Sequence, residues 1–94
     1  MLEQIVERMQ QELENKAFDG SLKFDCGDEG VVVLADGTAG LEDRETDCTI
    51  RISEDNLVKL LTGKLNPMTG VMMGKLKVKG NMGLALKLNA ILED

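Results

Sequence analysis

The groups in this 94-residue chain that could do chemistry are two cysteines, a run of carboxylates and a glycine stretch ending in lysine, and each stops short of a reactive centre. With no His, Tyr or Trp, the chain lacks the side chain most used for proton transfer near neutral pH. Ser-His-Asp and Cys-His nucleophiles cannot be assembled. Cys26 and Cys48 are far from any paired thiolate spacing for zinc. Each falls on the apolar side of a strand pattern, which predicts reduced, buried packing residues. Asp43, Glu45, Asp47 and Glu54 occupy positions 1, 3, 5 and 12 of a calcium loop, with Ile50 at position 8. Cys48 stands where the sharp turn requires Gly, and residues 46–52 alternate as a strand that would have to be dismantled around an ion. Gly70 to Lys75 reads G-x-x-x-G-K, then Leu, one residue short of a phosphate-binding P-loop and without the Ser or Thr that holds magnesium. The expectation is a protein that is not an enzyme and uses no metal or cofactor.

What remains is apolar surface, and the elements that carry it are well punctuated. Leu2, Ile5, Val6, Met9 and Leu13 have helical spacing, predicting a first helix that runs to about Lys16. Leu22, Phe24 and Cys26 alternate with Lys23 and Asp25, a half-buried strand. Val31 to Ala35 is a continuous apolar run, as in a strand covered on both faces. Asp36-Gly37 signals a hairpin turn into a third strand over 38–42. A fourth strand, 46–52, points Cys48, Ile50 and Ile52 one way and Thr49 and Arg51 the other. Ser53 then caps a helix with Leu57, Leu60 and Leu61 on its inner stripe, ending at Gly63. No repeat, linker or low-complexity tract interrupts the chain, and residues 1–94 are expected to form one domain.

The stretch from Gly63 to Leu88 concentrates the methionines. Asn66 and Pro67 start a short helix that Gly74 ends. Leu76 and Val78 alternate with Lys75, Lys77 and Lys79, giving a strand with one buried face. After Gly80, Asn81 caps a last helix whose Met82, Ala85, Leu86, Leu88, Ile91 and Leu92 cover a face wider than one packing stripe requires. Surplus apolar surface of this kind predicts a ligand wall.

The segment from Thr46 to Leu92, with its runs GKLNP, GKLKVKG and NMGLALKL, closely resembles the sterol carrier protein family, a non-specific lipid-transfer domain that binds sterols and fatty acyl chains. The first half resembles it in the order of its elements. That resemblance implies an α+β fold: a five-stranded, mostly antiparallel mixed sheet, its fourth strand reached by a crossover, with helices packed on one face around a hydrophobic cavity. Together with the apolar pattern it places a lipid against Val33, Ile50, Leu57, Leu60, Leu61, Leu65, Val71, Met72, Leu76, Met82, Ala85 and Leu86. The family commonly has Ala and Phe where this chain has Gly70 and Val71, so the resemblance implies a softer pocket, better suited to an acyl chain than to a rigid sterol. The flexible thioethers of Met68, Met72, Met73 and Met82 suit ligands of varied shape. The family also includes accessory domains fused to lipid-modifying enzymes, which implies a second possibility, a protein-interaction module.

A cavity is costly in so short a chain. At roughly 24 cal/mol per Å³, a void of about 300 Å³ costs about 7 kcal/mol, against a usual total stability of about 5–15 kcal/mol. Without a lipid the fold must collapse partly, admit water or hold a borrowed hydrophobe.

Charge is distributed unevenly. Residues 1–55 carry five basic and fifteen acidic side chains, a balance of −10; residues 56–94 carry six and two, a balance of +4, giving the net −6. An acidic chain whose only aromatics are Phe18 and Phe24 lacks the basic stacking surface of a nucleic-acid binder. Lys75, Lys77 and Lys79 read as a solvated edge strand or as a transient contact with anionic headgroups. Glu3 and Glu7 interrupt the apolar stretch a secretory signal needs, and the longest apolar run, Val31 to Ala35, is far below a membrane span. The chain ends in Leu-Glu-Asp rather than a Ser-Lys-Leu peroxisomal address, so the expected location is the cytosol.

Overall fold

The structure is a computed structural model that describes residues 2–15 and 18–92, with the side chains of these apart from 15 and 89–92. The order is α1 (Leu2–Asn15), β1 (Leu22–Asp25), a single 3₁₀ turn (Gly27–Glu29), β2 (Val31–Ala35), β3 (Thr38–Gly40), β4 (Cys48–Ile52), α2 (Glu54–Leu61), α3 (Pro67–Met72), β5 (Leu76–Gly80) and α4 (Met82–Leu92). The expected end of α1 at Lys16, and the Ile91 and Leu92 side chains, lie outside the described residues.

The strands form one sheet in the order β3-β2-β1-β4-β5. Only β1 and β4 run parallel, Phe24 beside Ile50; the other three pairings are antiparallel. The expected mixed, mostly antiparallel sheet is present. Two strands are shorter than their patterns: β3 stops at Gly40 rather than Glu42, and β4 starts at Cys48 rather than Thr46. The chain between them is diverted by side-chain bonds. Lys23 pairs with Asp43 at 2.6 Å, and the Ser21 hydroxyl accepts from the Asp47 N–H at 2.8 Å.

Local signals account for the turns and caps. Asp36 and Gly37 both adopt positive φ, 56° and 75°, the conformation that joins twisted strands through a two-residue hairpin. The Ser53 hydroxyl accepts from the Asn56 N–H at 3.1 Å, starting α2. Asn66 accepts from Met68 at 2.9 Å, with Pro67 at the first helical position, and Asn81 accepts from Gly83 at 2.9 Å at the head of α4. Gly80, at φ 90°, lets β5 pass directly beside the Asp47 carbonyl, where any Cβ would collide with backbone.

The inner face of the sheet meets the helices in one buried cluster. Leu22, Phe24, Val32, Leu34, Cys48, Ile50, Ile52 and Leu76 come from the strands. They pack against Ile5 and Met9 of α1, Leu57, Leu60 and Leu61 of α2, Leu65, and Leu84, Ala85 and Leu88 of α4, with Val71 of α3 partly buried against the group. The Cα radius of gyration is 11.6 Å, at or below the roughly 12 Å expected for this length.

Candidate functional site

The residues expected to touch a lipid separate into three groups by placement. Ile50, Leu57, Leu60, Leu61, Leu65, Leu76 and Ala85 belong to the single inner cluster, and Val71 packs against it. Period-two alternation in β4 and the 3.6-residue stripe of α2 bring them together.

Val33 is buried but lies on the other side of the sheet. Its register partners are Lys23 and Gly40, whereas the inward Val32 and Leu34 pair with Phe24 and Leu22. With Ala35, Thr38, Gly40, Glu42 and Arg44 it lines a separate surface depression of about 340 Å³. An unbroken apolar run gives no indication of which residues face which way, and this is where the pattern was silent.

Met72, Met82 and Leu86 stand at the surface, 85%, 49% and 50% exposed. The apolar surplus of the last helix is therefore real, and it faces outward in this conformation. Met68 and Met73, at 47% and 62% exposed, extend it along α3. Gly70 explains how α3 sits so low: a Cβ there would meet Leu76 Cδ2 at 2.8 Å, so the absent methyl lets the helix close onto β5.

One apolar crevice reaches this cluster from outside. Gln4, Ile5 and Arg8 of α1 and Val58 and Leu61 of α2, with its C-cap Thr62, line about 170 Å³, and the Arg8 guanidinium donates to the Leu61 carbonyl at 3.5 Å across it. Neither helix pattern alone reveals the crevice, because it exists only where the two pack.

The titratable groups near the core are shifted toward their neutral forms. Burial, followed by the charges of Glu29, Glu54 and Asp25, pushes the Cys26 thiol up to about 11, and burial raises Cys48 as well. Cys48 sits beside Leu22 in the β1–β4 register. Cys26 is four residues further along, about 13 Å at strand rise, too far for a disulfide. Glu54, buried at the start of α2, has a raised carboxyl, first because it shares a hydrogen bond with Glu29 and then through burial and the Glu29 charge. Glu29 and Glu54 border a depression of about 250 Å³ with Leu2, Val31 and Leu41. The two acids are distant in sequence, and nothing in the chain signalled their meeting. Of the calcium-loop carboxylates, Asp43 is engaged by Lys23, and β4 separates Asp47 from Glu54.

A mixed five-stranded sheet roofed by helices, several of whose large apolar side chains remain exposed, is an α+β fold shared with solved lipid-binding domains. The chain matches the SCP-2 sterol transfer family over residues 1–93 and belongs to it. It is 54% identical over 46 residues to sterol carrier protein 2 of Bos taurus, a stretch that covers 49% of this chain but only 8% of that longer protein. The solution structure of sterol carrier protein domain 2 of Helicoverpa armigera superposes with a TM-score of 0.72 at 28% identity, covering 95% of this chain and 83% of that one. Sterol Carrier Protein-2 from Aedes aegypti, solved in complex with palmitate, superposes with a TM-score of 0.78 at 17% identity, covering 94% and 90% of the two chains, and shows the shared fold.

Proposed function

We propose that this protein is a non-enzymatic carrier that takes a fatty acyl chain, a sterol or a similar hydrophobe between the inner face of the sheet and helices α2 to α4. The ligand rests against Ile50, Leu57, Leu60, Leu61, Leu65, Val71, Leu76 and Ala85. Met72, Met82 and Leu86 turn inward over it, and Val33, across the sheet, takes no part. The observation that carries this reading is the pair of half-exposed side chains on α4 in a chain whose core is otherwise closed. Their apolar surface awaits a partner.

Energetics favour a chain-like guest. Each methylene buried contributes roughly 0.8 kcal/mol, so about nine methylenes offset a cavity of about 7 kcal/mol. A flexible acyl chain can part α4 from the sheet progressively, whereas a rigid sterol needs the full opening at once. Membership of a sterol transfer family, and the palmitate bound to the Aedes aegypti protein, support the ligand class. In this reading Lys75, Lys77 and Lys79 contact anionic headgroups during transfer, and the protein works in the cytosol.

Native mass spectrometry of the freshly purified protein, followed by titration with a fluorescent fatty acid, tests the proposal. Bound lipid that the probe displaces is the expected result. Ligand-free protein that takes up no probe at micromolar concentration refutes it.

A second reading has one observation behind it: the matched stretch is a small part of the longer bovine relative. There the domain would serve as a protein-interaction or accessory module for a lipid-modifying enzyme. Stable co-purification of such an enzyme with a lipid-free domain would favour it.

A further inference from the structure

The sheet ends in two edge strands, β3 and β5. At β3 the chain supplies a cover, since the Gln10 side chain of α1 accepts from the Ala39 N–H at 2.9 Å. At β5 it supplies none, and the register identifies the groups left over. The Asn81 N–H donates to the Asp47 carbonyl at 3.0 Å, one step beyond the facing pair Cys48 and Gly80. Hydrogen-bonded pairs along an antiparallel ladder recur at every second residue. Thr49–Lys79 and Arg51–Lys77 are therefore the bonded pairs, and the main-chain N–H and C=O groups of Leu76 and Val78 point away from β4. No described residue bonds to them.

The side chains on the outer face of this edge carry one sign of charge. Lys77 and Lys79 lie opposite Arg51 and Thr49 of β4, and Lys75 comes just before the strand. Arg51, Lys75, Lys77 and Lys79 are all exposed, and no described carboxylate forms an ion pair with them. Arg51 directly across from Lys77 is a like-charge pair, unfavourable unless opposite charge lies over it. Asp25 flanks Arg51 on the β1 side, but its Oδ1 accepts from the Gly27 N–H at 2.9 Å. On the inner face Val78 is only partly buried against the core, and α3, with Met68 and Met72 exposed, packs against the strand.

We propose that the β5 edge binds an extended segment of a partner protein, in which acidic residues alternate with apolar ones, as an added strand. The main chain of that segment pairs with Leu76 and Val78. Its carboxylates lie over Lys77 and Lys79 on the outer face, while its apolar side chains meet Val78 on the inner one. The proposal is independent of the carrier reading, whose ligand lies within the inner cluster. A bilayer fits this edge less well, because headgroups present no donors and acceptors alternating at strand spacing. A second copy also fits less well: antiparallel pairing that sets Val78 beside Val78 places Lys77 opposite Lys79. Lysines at an edge deter such self-pairing and leave it open to an acidic strand.

Fluorescence anisotropy with a labelled synthetic peptide alternating glutamate and valine, together with amide hydrogen exchange followed by NMR, tests the edge. The full-length chain should bind the peptide, more weakly as salt is raised, and binding should slow exchange at the Leu76 and Val78 amides. The double substitution Lys77→Gln and Lys79→Gln, at exposed side chains, should weaken binding about fivefold or more. Val78→Pro removes one outward N–H while leaving the bonded pairs with β4 in place, a change edge strands tolerate, and it should weaken binding as well. The same peptide N-methylated on the amides that face the edge keeps its charge but cannot pair, and should not bind. Equal binding of that peptide, or of one with lysine in place of glutamate, overturns the proposal. So does failure to bind at millimolar peptide, or protection that appears away from Leu76 and Val78. Flotation with phosphatidylserine-containing vesicles that needs Lys77 and Lys79, in a protein that binds no peptide, overturns it and assigns the edge to a bilayer. Protection of Leu76 and Val78 that rises with protein concentration alone overturns it in favour of a second copy.

Discussion

The two edges of the sheet are finished in opposite ways. At the β3 edge, Gln10 of α1 accepts from the Ala39 N–H at 2.9 Å, the Thr38 hydroxyl donates to the Ala35 carbonyl at 2.9 Å, and Lys23 and Arg44 pair with Asp43 and Asp36. Several polar groups there have partners from the chain itself, and Leu2, Ile5 and Met9 of α1 are buried. At the β5 edge, Lys75, Lys77 and Lys79 are exposed with no ion pair among the described residues, and the side chains of α3 and α4 leave five large apolar groups in contact with solvent. The first edge is largely finished by the chain itself. The second leaves apolar side chains exposed, and under the proposed carrier function that surface is what remains for cargo.

The largest expected effect breaks the first region. Phe24→Ala removes a fully buried ring and should cost roughly 3–5 kcal/mol in urea unfolding, whereas Met72→Ala, at an exposed position, should change stability by less than about 0.5 kcal/mol. Similar losses at both sites would erase the distinction. Gly80→Ala comes next. It forces a Cβ against the Asp47 carbonyl at positive φ and should cost about 1–3 kcal/mol, loosening the joint between β5 and α4.

Leu86→Glu separates folding from binding. The side chain is half exposed, so the variant should retain near wild-type stability, to within about 1 kcal/mol. It should nevertheless lose fatty-acid uptake, since closing α4 over a lipid would bury an unpaired charge. Full uptake by a folded variant would move the ligand away from α4.

The smallest expected effect is a pH dependence at the Glu29–Glu54 pair. Glu54 has a folded-state value raised above 4.5 by its bond to Glu29, so the folded protein holds that proton more tightly than the unfolded chain. The resulting stabilisation is complete below the ordinary value and is lost as pH rises through the raised one. Above that range the shared proton is lost and the Glu54 charge beside Glu29 is unfavourable. Glu29→Gln should therefore raise the melting temperature at neutral pH, and the gap to wild type should close on acidification toward pH 4.5. A gap constant with pH would show that the two acids do not share a proton.

Much of the fold was legible because its signals are local. Ser53, Asn66 and Asn81 cap helices through bonds two or three residues long, and Asp36-Gly37 turns a hairpin through its own backbone angles. Alternation in β1 and β4 assigned inner and outer faces correctly. The start of β4 was overextended because alternation continued into Asp47, whose N–H goes to the Ser21 hydroxyl twenty-six residues away, and the far end of β3 had only the turn before it as a signal. The candidate site was less legible for the same reason: Val33 belongs to a uniformly apolar strand, and only pairing with Lys23 assigns its face.

The sequence by itself determined the elements, the absence of histidine chemistry, the opposed charges of the two halves and the apolar excess near the C-terminus, since each is a property of residue type and short-range spacing. Only the tertiary structure decided that β1 and β4 lie side by side, that Glu29 meets Glu54, and that Met72, Met82 and Leu86 face water while Leu57 and Leu60 do not. Those outcomes depend on which surfaces compete for the limited area of the sheet's inner face, and that competition involves the whole chain at once.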